Sequence, residues 1–206
     1  MPSTKETPVV KTPTLIGILG APCSGKTELA RRIEAALTGY GLTAVRTDDV
    51  ARLAAAARGL PTMQHQTDQT TEWMISQGTA DEIAAAALGR DVVLVDGVSI
   101  SAFGDYLAAV QLRREQPDPF IARRLSQLVR DRAAVFDLLL ATVFDPAEVS
   151  QQELADTQFS SLVDKHVHAT LLAEKRPYLA VNRAEASHDT AIRRCVEIAL
   201  RMVSAV

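Results

Sequence analysis

Gly20-Ala-Pro-Cys-Ser-Gly-Lys-Thr27 fits the pattern G-x-x-x-x-G-K-[ST] and stands directly between an apolar run and a helical pattern. The run before it, Thr14-Leu-Ile-Gly-Ile-Leu19, has the composition of a buried strand. The stretch after it, Glu28 to Leu37, places Leu29, Ile33, Ala36 and Leu37 on one helical face. Strand, glycine-bearing loop and helix start therefore follow in order. Glycines let such a loop curl until successive N–H groups point inward at an anion, and the positive end of the helix dipole adds to the attraction. The expected ligand is a nucleotide polyphosphate held by Gly20, Ala21, Pro22, Cys23, Ser24, Gly25, Lys26, Thr27 and Glu28. Lys26 is expected to reach the β- and γ-phosphates, and the Thr27 hydroxyl to coordinate Mg2+.

Beyond the first helix, Thr38-Gly-Tyr-Gly41 is a stop signal and Leu42 to Thr47 resumes as a second strand. Asp48 and Asp49 stand at its carboxyl end, and an alanine-rich helix is predicted from Val50 to Arg58, closed by Gly59-Leu-Pro61. His65 to Gln77 is polar with a few apolar anchors, Trp73 and Met74 among them, and runs into a helix predicted over Ala80 to Leu88. Asp91-Val-Val-Leu-Val-Asp96 reads as a third strand, apolar on both faces and ending in a carboxylate, as a central parallel strand does. Ser99 to Arg132 is helical with a break at Gln116-Pro-Asp-Pro119, and its many arginines read as a solvated face. A fourth strand, Asp137 to Phe144, is broken by Asp145-Pro146; a helix from about Ser150 to Lys175, a strand Tyr178 to Val181 and a helix Thr190 to Val203 follow. Strands alternating with helices imply an α/β fold, a parallel sheet with right-handed crossovers covered on both faces.

At 206 residues and 47% hydrophobic content the chain suits one domain, expected over 14–206 after a flexible tail at 1–13 that lacks periodicity. A net charge of -3 argues against nucleic acid or an anionic membrane as the main partner. Cys23 and Cys195 lie too far apart in sequence, one of them inside the phosphate loop, to suggest a stapled secreted scaffold; a reducing cytoplasm fits better. No apolar run approaches the roughly 18 residues of a membrane span. His65, His166, His168 and His188 are scattered and do not have zinc-ligand spacing.

Asp96 is the natural partner of Thr27 in a Mg2+ site, because Mg2+ prefers a few oxygen ligands around bound phosphates. Asp48 and Asp49 face two roles: helix caps, or carboxylates at the cleft, one of which takes a proton from an acceptor hydroxyl. Trp73 and Met74 read either as core or as pocket lining, and Arg183 either as surface or as a neighbour of the nucleotide base.

Gly20–Thr27, Asp49-Val-Ala-Arg52 after the second strand, and Gln77 with Glu82 ahead of Val93-Leu-Val-Asp96 together resemble the P-loop ATPase/kinase group that includes ribosylnicotinamide kinases, over roughly residues 14 to 200. The resemblance implies a P-loop NTPase fold with strand order 2-3-1-4-5, ATP as donor with Mg2+, and a small nucleoside-like acceptor met by Asp48, Asp49 and Arg52. Lys26 and Asp49 are then the catalytic pair, and Thr27 and Asp96 hold the metal. One departure stands out: Asp145 to Asp164, where such kinases carry lid arginines, has no Lys or Arg. The missing charge comes from Arg123 to Arg132 or Lys165, or from a second subunit in a homodimer, or the chain binds nucleotide without efficient transfer. The first expectation is an ATP-dependent phosphotransferase; the alternative is a nucleotide-dependent switch that hydrolyses slowly and signals to a regulatory protein partner.

Overall fold

The computed structural model describes residues 12–148 and 157–204. Its central strand, β1 (Thr14–Leu19), lies between β3 (Val92–Asp96) and β4 (Leu138–Thr142), with β2 (Ala44–Thr47) and β5 (Leu179–Val181) outside them. The order β2-β3-β1-β4-β5, parallel throughout, is the one the family resemblance implies. Ile18 of β1 sits opposite Asp96, and Leu19 opposite Ala141, so the phosphate loop, Asp96 and Thr142 all emerge at the carboxyl edge of the sheet. That edge is where open α/β sheets bind ligands.

Among the described residues seven α-helices surround the sheet: α1 (Lys26–Gly39), α2 (Val50–Ala57), α3 (Asp68–Ala86), α4 (Ser99–Leu112), α5 (Pro119–Ala133), α6 (Thr157–Ala173) and α7 (Glu185–Ser204). Because successive strand residues point to opposite faces, β1 serves two layers at once. Ile16 and Ile18 pack with Leu94 and Leu140 against Leu29 and Ile33 of α1 and Ala191 and Cys195 of α7. Leu19, Val93, Val95 and Leu139 meet Phe103 of α4, Leu125 of α5 and Phe159 and Val163 of α6 on the other side. Each buried Val, Leu, Ile or Phe among them stabilises the fold by about 1.5–3 kcal/mol. Burial also pushes the Cys195 thiol up to about 12, which leaves it a packing residue.

The helix expected at Ala80 begins at Asp68. Thr67 accepts a hydrogen bond from the Thr70 N–H while the Thr70 hydroxyl accepts one from the Thr67 N–H, a reciprocal cap that starts the helix early. Its buried positions include Thr70, Thr71 and Glu82, so polar residues occupy the inner face and hide the apolar period. In α7, which begins at Glu185 and not at Thr190, His188 is buried with its ring 3.0 Å from Arg32 Nη1. The break at Gln116–Pro119 is a helix start: Asp118 accepts from the N–H groups of Phe120 and Ile121, and Pro119 takes the first turn. The tail through Lys11, and the stretch of the sixth helix expected before Thr157, lie outside the described residues.

Helices α4 and α6 approach closely at Gly104, where a Cβ would stand 2.6 Å from Val167 Cγ2 and 3.5 Å from the Val163 carbonyl oxygen. Val167 is fully buried and stiff about χ1, so it has little room to yield. Gly104→Ala is expected to destabilise the chain by about 1–3 kcal/mol in urea unfolding. Gly39→Ala, at the exposed end of α1 with nothing within 4 Å, should change stability by less than about 1 kcal/mol. Equal effects at the two positions would show that the α4–α6 contact is not tight.

Candidate active site

The phosphate loop is held open by its own backbone. Gly20 has φ 147°, and a Cβ there would lie 2.1 Å from Thr142 Oγ1, so β4 leaves space only for glycine. Cys23 and Gly25 follow in the left-handed region at φ 59° and 90°. The Gly20 N–H donates to Ser101 Oγ at 3.2 Å, and the Ser24 hydroxyl donates to the Ala21 carbonyl at 2.8 Å while sharing a 2.5 Å contact with Thr142 Oγ1. Both neighbouring strands' exits thus anchor the loop before any ligand arrives. No side chain caps α1 at Gly25, so its first N–H groups are left for an anion. Lys26 Nζ meanwhile donates to the Ala21 carbonyl at 2.7 Å. Burial draws the Lys26 pKa down, and Asp96, Asp49 and Asp105 oppose that pull. The Glu28 side chain faces solvent and pairs with Arg31 at 2.8 Å.

The Thr27 hydroxyl donates to Asp96 Oδ2 at 2.9 Å. Asp96 is 3% exposed, and its other oxygen, Oδ1, is buried without a hydrogen-bond partner. Burial raises its pKa, against the pull of Lys26 and Thr27. A hydroxyl beside a carboxylate with one unanswered oxygen is the hard-oxygen donor set that Mg2+ takes, so these two residues fit the ion.

Asp49 and Arg52, from the end of β2 and the first turns of α2, form an ion pair of 2.6 Å. Gly97, at φ 87°, has no room for a Cβ because Asp49 Cγ would be 2.9 Å away; the Asp49 carboxyl therefore lies directly against the residue after Asp96. Behind this pair, α2, α3 and α4 enclose a cavity of about 20 Å3, lined among others by Met74, Ile75, Glu82, Ser99 and Asp105. That volume holds about one water. Glu82 is 3% exposed and paired with Arg132 of α5. Its carboxyl is raised by burial, with Arg132 opposing. Asp105 is 6% exposed, and burial, assisted by Asp49, pushes it up to about 7.

Of the residues that the sequence singles out, Asp49, Arg52, Met74 and Glu82 meet at this cavity. Asp48 is turned outward to Arg46 at 2.9 Å, Gln77 donates to Asp81 at 3.0 Å, and Trp73 lies 5.3 Å below the Arg58 guanidinium, none of them among the cavity's lining. Asp105 escaped the sequence reading because it sits mid-helix in an apolar stretch; its spacing of one turn from Ser101, which holds the loop, is the signal that marks it.

Of the arginines expected to replace the lid charge, Arg123 is exposed on α5, Arg124 pairs with Glu72, Arg130 with Glu174 and Arg132 with Glu82. Lys165 is exposed on α6. Besides Lys26, the cation beside the loop is Arg183, just past β5, which donates to the Cys23 carbonyl and, at 2.9 Å, to the Glu148 carbonyl, and pairs with the Glu148 carboxylate at 3.9 Å. Its Nε lies 3.8 Å from where a Cβ on Gly25 would stand. Among the described residues no helix is long and apolar enough to cross a membrane.

No family model and no curated protein matches the chain. Solved structures match it in fold. NadR protein in complex with NR aligns at 17% identity and TM-score 0.64 over 90% of this chain and 50% of that one. NadR protein in complex with NAD and AMP-PNP aligns at 17% and 0.59 over 90% and 49%. Deoxyadenosine kinase from M. mycoides with bound dATP aligns at 11% and 0.57 over 93% and 100%. The chain thus has the P-loop kinase fold and spans about half the length of the NadR chains it matches.

The Glu82–Arg132 pair generates a stability prediction. Arg132→Met leaves Glu82 as an uncompensated buried carboxylate and is expected to cost about 3–5 kcal/mol at pH 8. A carboxyl whose folded pKa is raised penalises the fold above that pKa and ceases to do so as pH falls towards the unfolded value. The deficit should therefore shrink between pH 8 and pH 5 in urea unfolding; a pH-independent deficit would place the cost in lost packing instead.

Proposed function

We propose that the chain is an ATP-dependent phosphotransferase that moves the γ-phosphoryl group to a hydroxyl of a small, nucleoside-like acceptor. The observation that carries this reading is the convergence, at one sheet edge, of the amide cradle with Lys26, the Thr27–Asp96 pair and the Asp49–Arg52 pair. The first holds a polyphosphate, the second suits Mg2+, and the third offers a carboxylate to an incoming hydroxyl. The fold neighbours add support: one NadR structure holds AMP-PNP, and the M. mycoides protein is a deoxyadenosine kinase holding dATP.

In the reaction the acceptor oxygen bonds to the γ-phosphorus, the bond from that phosphorus to the β,γ-bridging oxygen breaks, and the hydroxyl proton passes to Asp49. Arg52 fixes Asp49 through one carboxylate oxygen and leaves the other for the acceptor. Lys26 leaves the Ala21 carbonyl and follows the charge onto the phosphates. Thr27 and Asp96 would hold Mg2+, which would supply charge neutralisation for the polyphosphate. Arg183, lying over Cys23 and Gly25, supplies from the β5–α7 connection the positive charge that the lid segment lacks. A cavity of about 20 Å3 is far below the ~300 Å3 or more of a small-molecule site, so α2 or α3 swings away to admit the acceptor and closes over it to exclude water.

Lys26→Ala is expected to lower phosphoryl transfer by about 100-fold or more, with thermal unfolding close to the parent's. The check is the yield of phosphorylated product from Mg-ATP and a panel of ribo- and deoxyribonucleosides. Transfer at the parent rate by the alanine variant contradicts the assignment.

A further inference from the structure

Three carboxylates line the small cavity, and two of them are answered: Asp49 by Arg52 and Glu82 by Arg132. Asp105 is not; it is more than nine-tenths buried, faces the cavity, and has neither a hydrogen bond nor an ion pair among the described residues. On the same helix the Ser99 hydroxyl, also lining the cavity, is buried without a partner. A buried carboxylate left unpaired is costly, and proteins retain such groups where a ligand completes them. The α4 helix itself is well anchored here, because Ser101, between the two, takes the Gly20 N–H of the phosphate loop. Both polar groups are thus set at a fixed position relative to the phosphates.

We propose that Asp105, with Ser99, forms the subsite that reads the acceptor: its carboxyl group accepts hydrogen bonds from an N–H or O–H group of the acceptor other than the hydroxyl phosphorylated beside Asp49. This assignment rests on the phosphotransferase reading and narrows its substrate class. The acceptor carries a second hydrogen-bond donor and no anionic group at that end. A phosphate or carboxylate placed there meets Asp105 with no free cation in the lining, since Arg52 is engaged by Asp49. Nucleosides suit the subsite; nucleoside monophosphates do not.

The charged groups around Asp105 are Asp49 and Arg52 at the start of α2, Lys26 of α1, and Glu82 of α3 with Arg132 of α5 behind it. Burial raises Asp105 and Asp49 adds to the rise, whereas Lys26 and Arg52 oppose it. A carboxyl raised from 3.8 to about 7 weighs against the fold above that pH and stops doing so towards the unfolded value.

Two measurements on Asp105→Asn test the proposal. The variant should melt at a higher temperature than the parent at pH 8, with the difference shrinking by pH 5, because it removes an unanswered charge; a lower melting temperature at pH 8 makes Asp105 a structural group and overturns the subsite. With Mg-ATP and the nucleoside panel, its KM for the accepted nucleoside should rise about tenfold or more while the KM for ATP stays within about twofold. An unchanged nucleoside KM means that the cavity holds only solvent and overturns the proposal alone. A parent that prefers nucleoside monophosphates over nucleosides overturns it too. A parent that phosphorylates nothing in the panel overturns the phosphotransferase reading, and the subsite falls with it.

Discussion

The contact between the Thr27 hydroxyl and Asp96 joins two residues 69 positions apart, and it exists because β1 and β3 pair in parallel and in one register. Ile18 opposite Asp96 makes the third strand end where the first gives way to the loop, and the Gly97 N–H closes the junction on the Ile18 carbonyl at 3.0 Å. A slip of one residue would turn Asp96 to the other face of the sheet and take its carboxylate away from α1. The site is therefore a property of strand register, which the two hydrophobic layers enforce through Ile16 and Ile18 on one face and Leu19 and Val95 on the other. The register specified by the core is what assembles the polar edge.

That edge gathers charge at a cost to the fold. Asp49 adds to the charge met by both Asp96 and Asp105, Glu82 lines the same cavity as Asp49 and Asp105, and burial drives Asp96, Asp105 and Glu82 upward in pKa. Lys26 and Arg52 balance them on the nucleotide side, and Arg132 on the far side. Such concentrations of desolvated acids mark sites where stability has been given up for chemistry. On the proposed reading a polyphosphate would bring further negative charge, which a metal at Thr27 and Asp96 and the guanidinium of Arg183 would offset.

The sheet was legible in the sequence because its strands are short apolar runs that end in recognisable punctuation: Gly20 after β1, Asp48-Asp49 after β2, Asp96-Gly97 after β3 and Asp145-Pro146 after β4. The phosphate loop was legible because its function needs particular residue types at fixed spacing. The early start of α3 was hidden, since Thr70 and Thr71 fill inner positions that an amphipathic pattern assigns to apolar residues. The Glu82–Arg132 pair depends on the packing of α3 against α5, a tertiary arrangement with no local spacing to betray it. Arg183 gained its place from the parallel pairing of β5 with β4, which brings the end of that strand to the loop.

What most depends on this register is the affinity of the loop edge for a metal-bound triphosphate. Isothermal calorimetry of the chain with ATP in the presence of Mg2+ measures it directly. Saturable heat with Mg-ATP is the expected outcome. Absence of heat with every nucleoside triphosphate, in a chain that unfolds cooperatively, would contradict it.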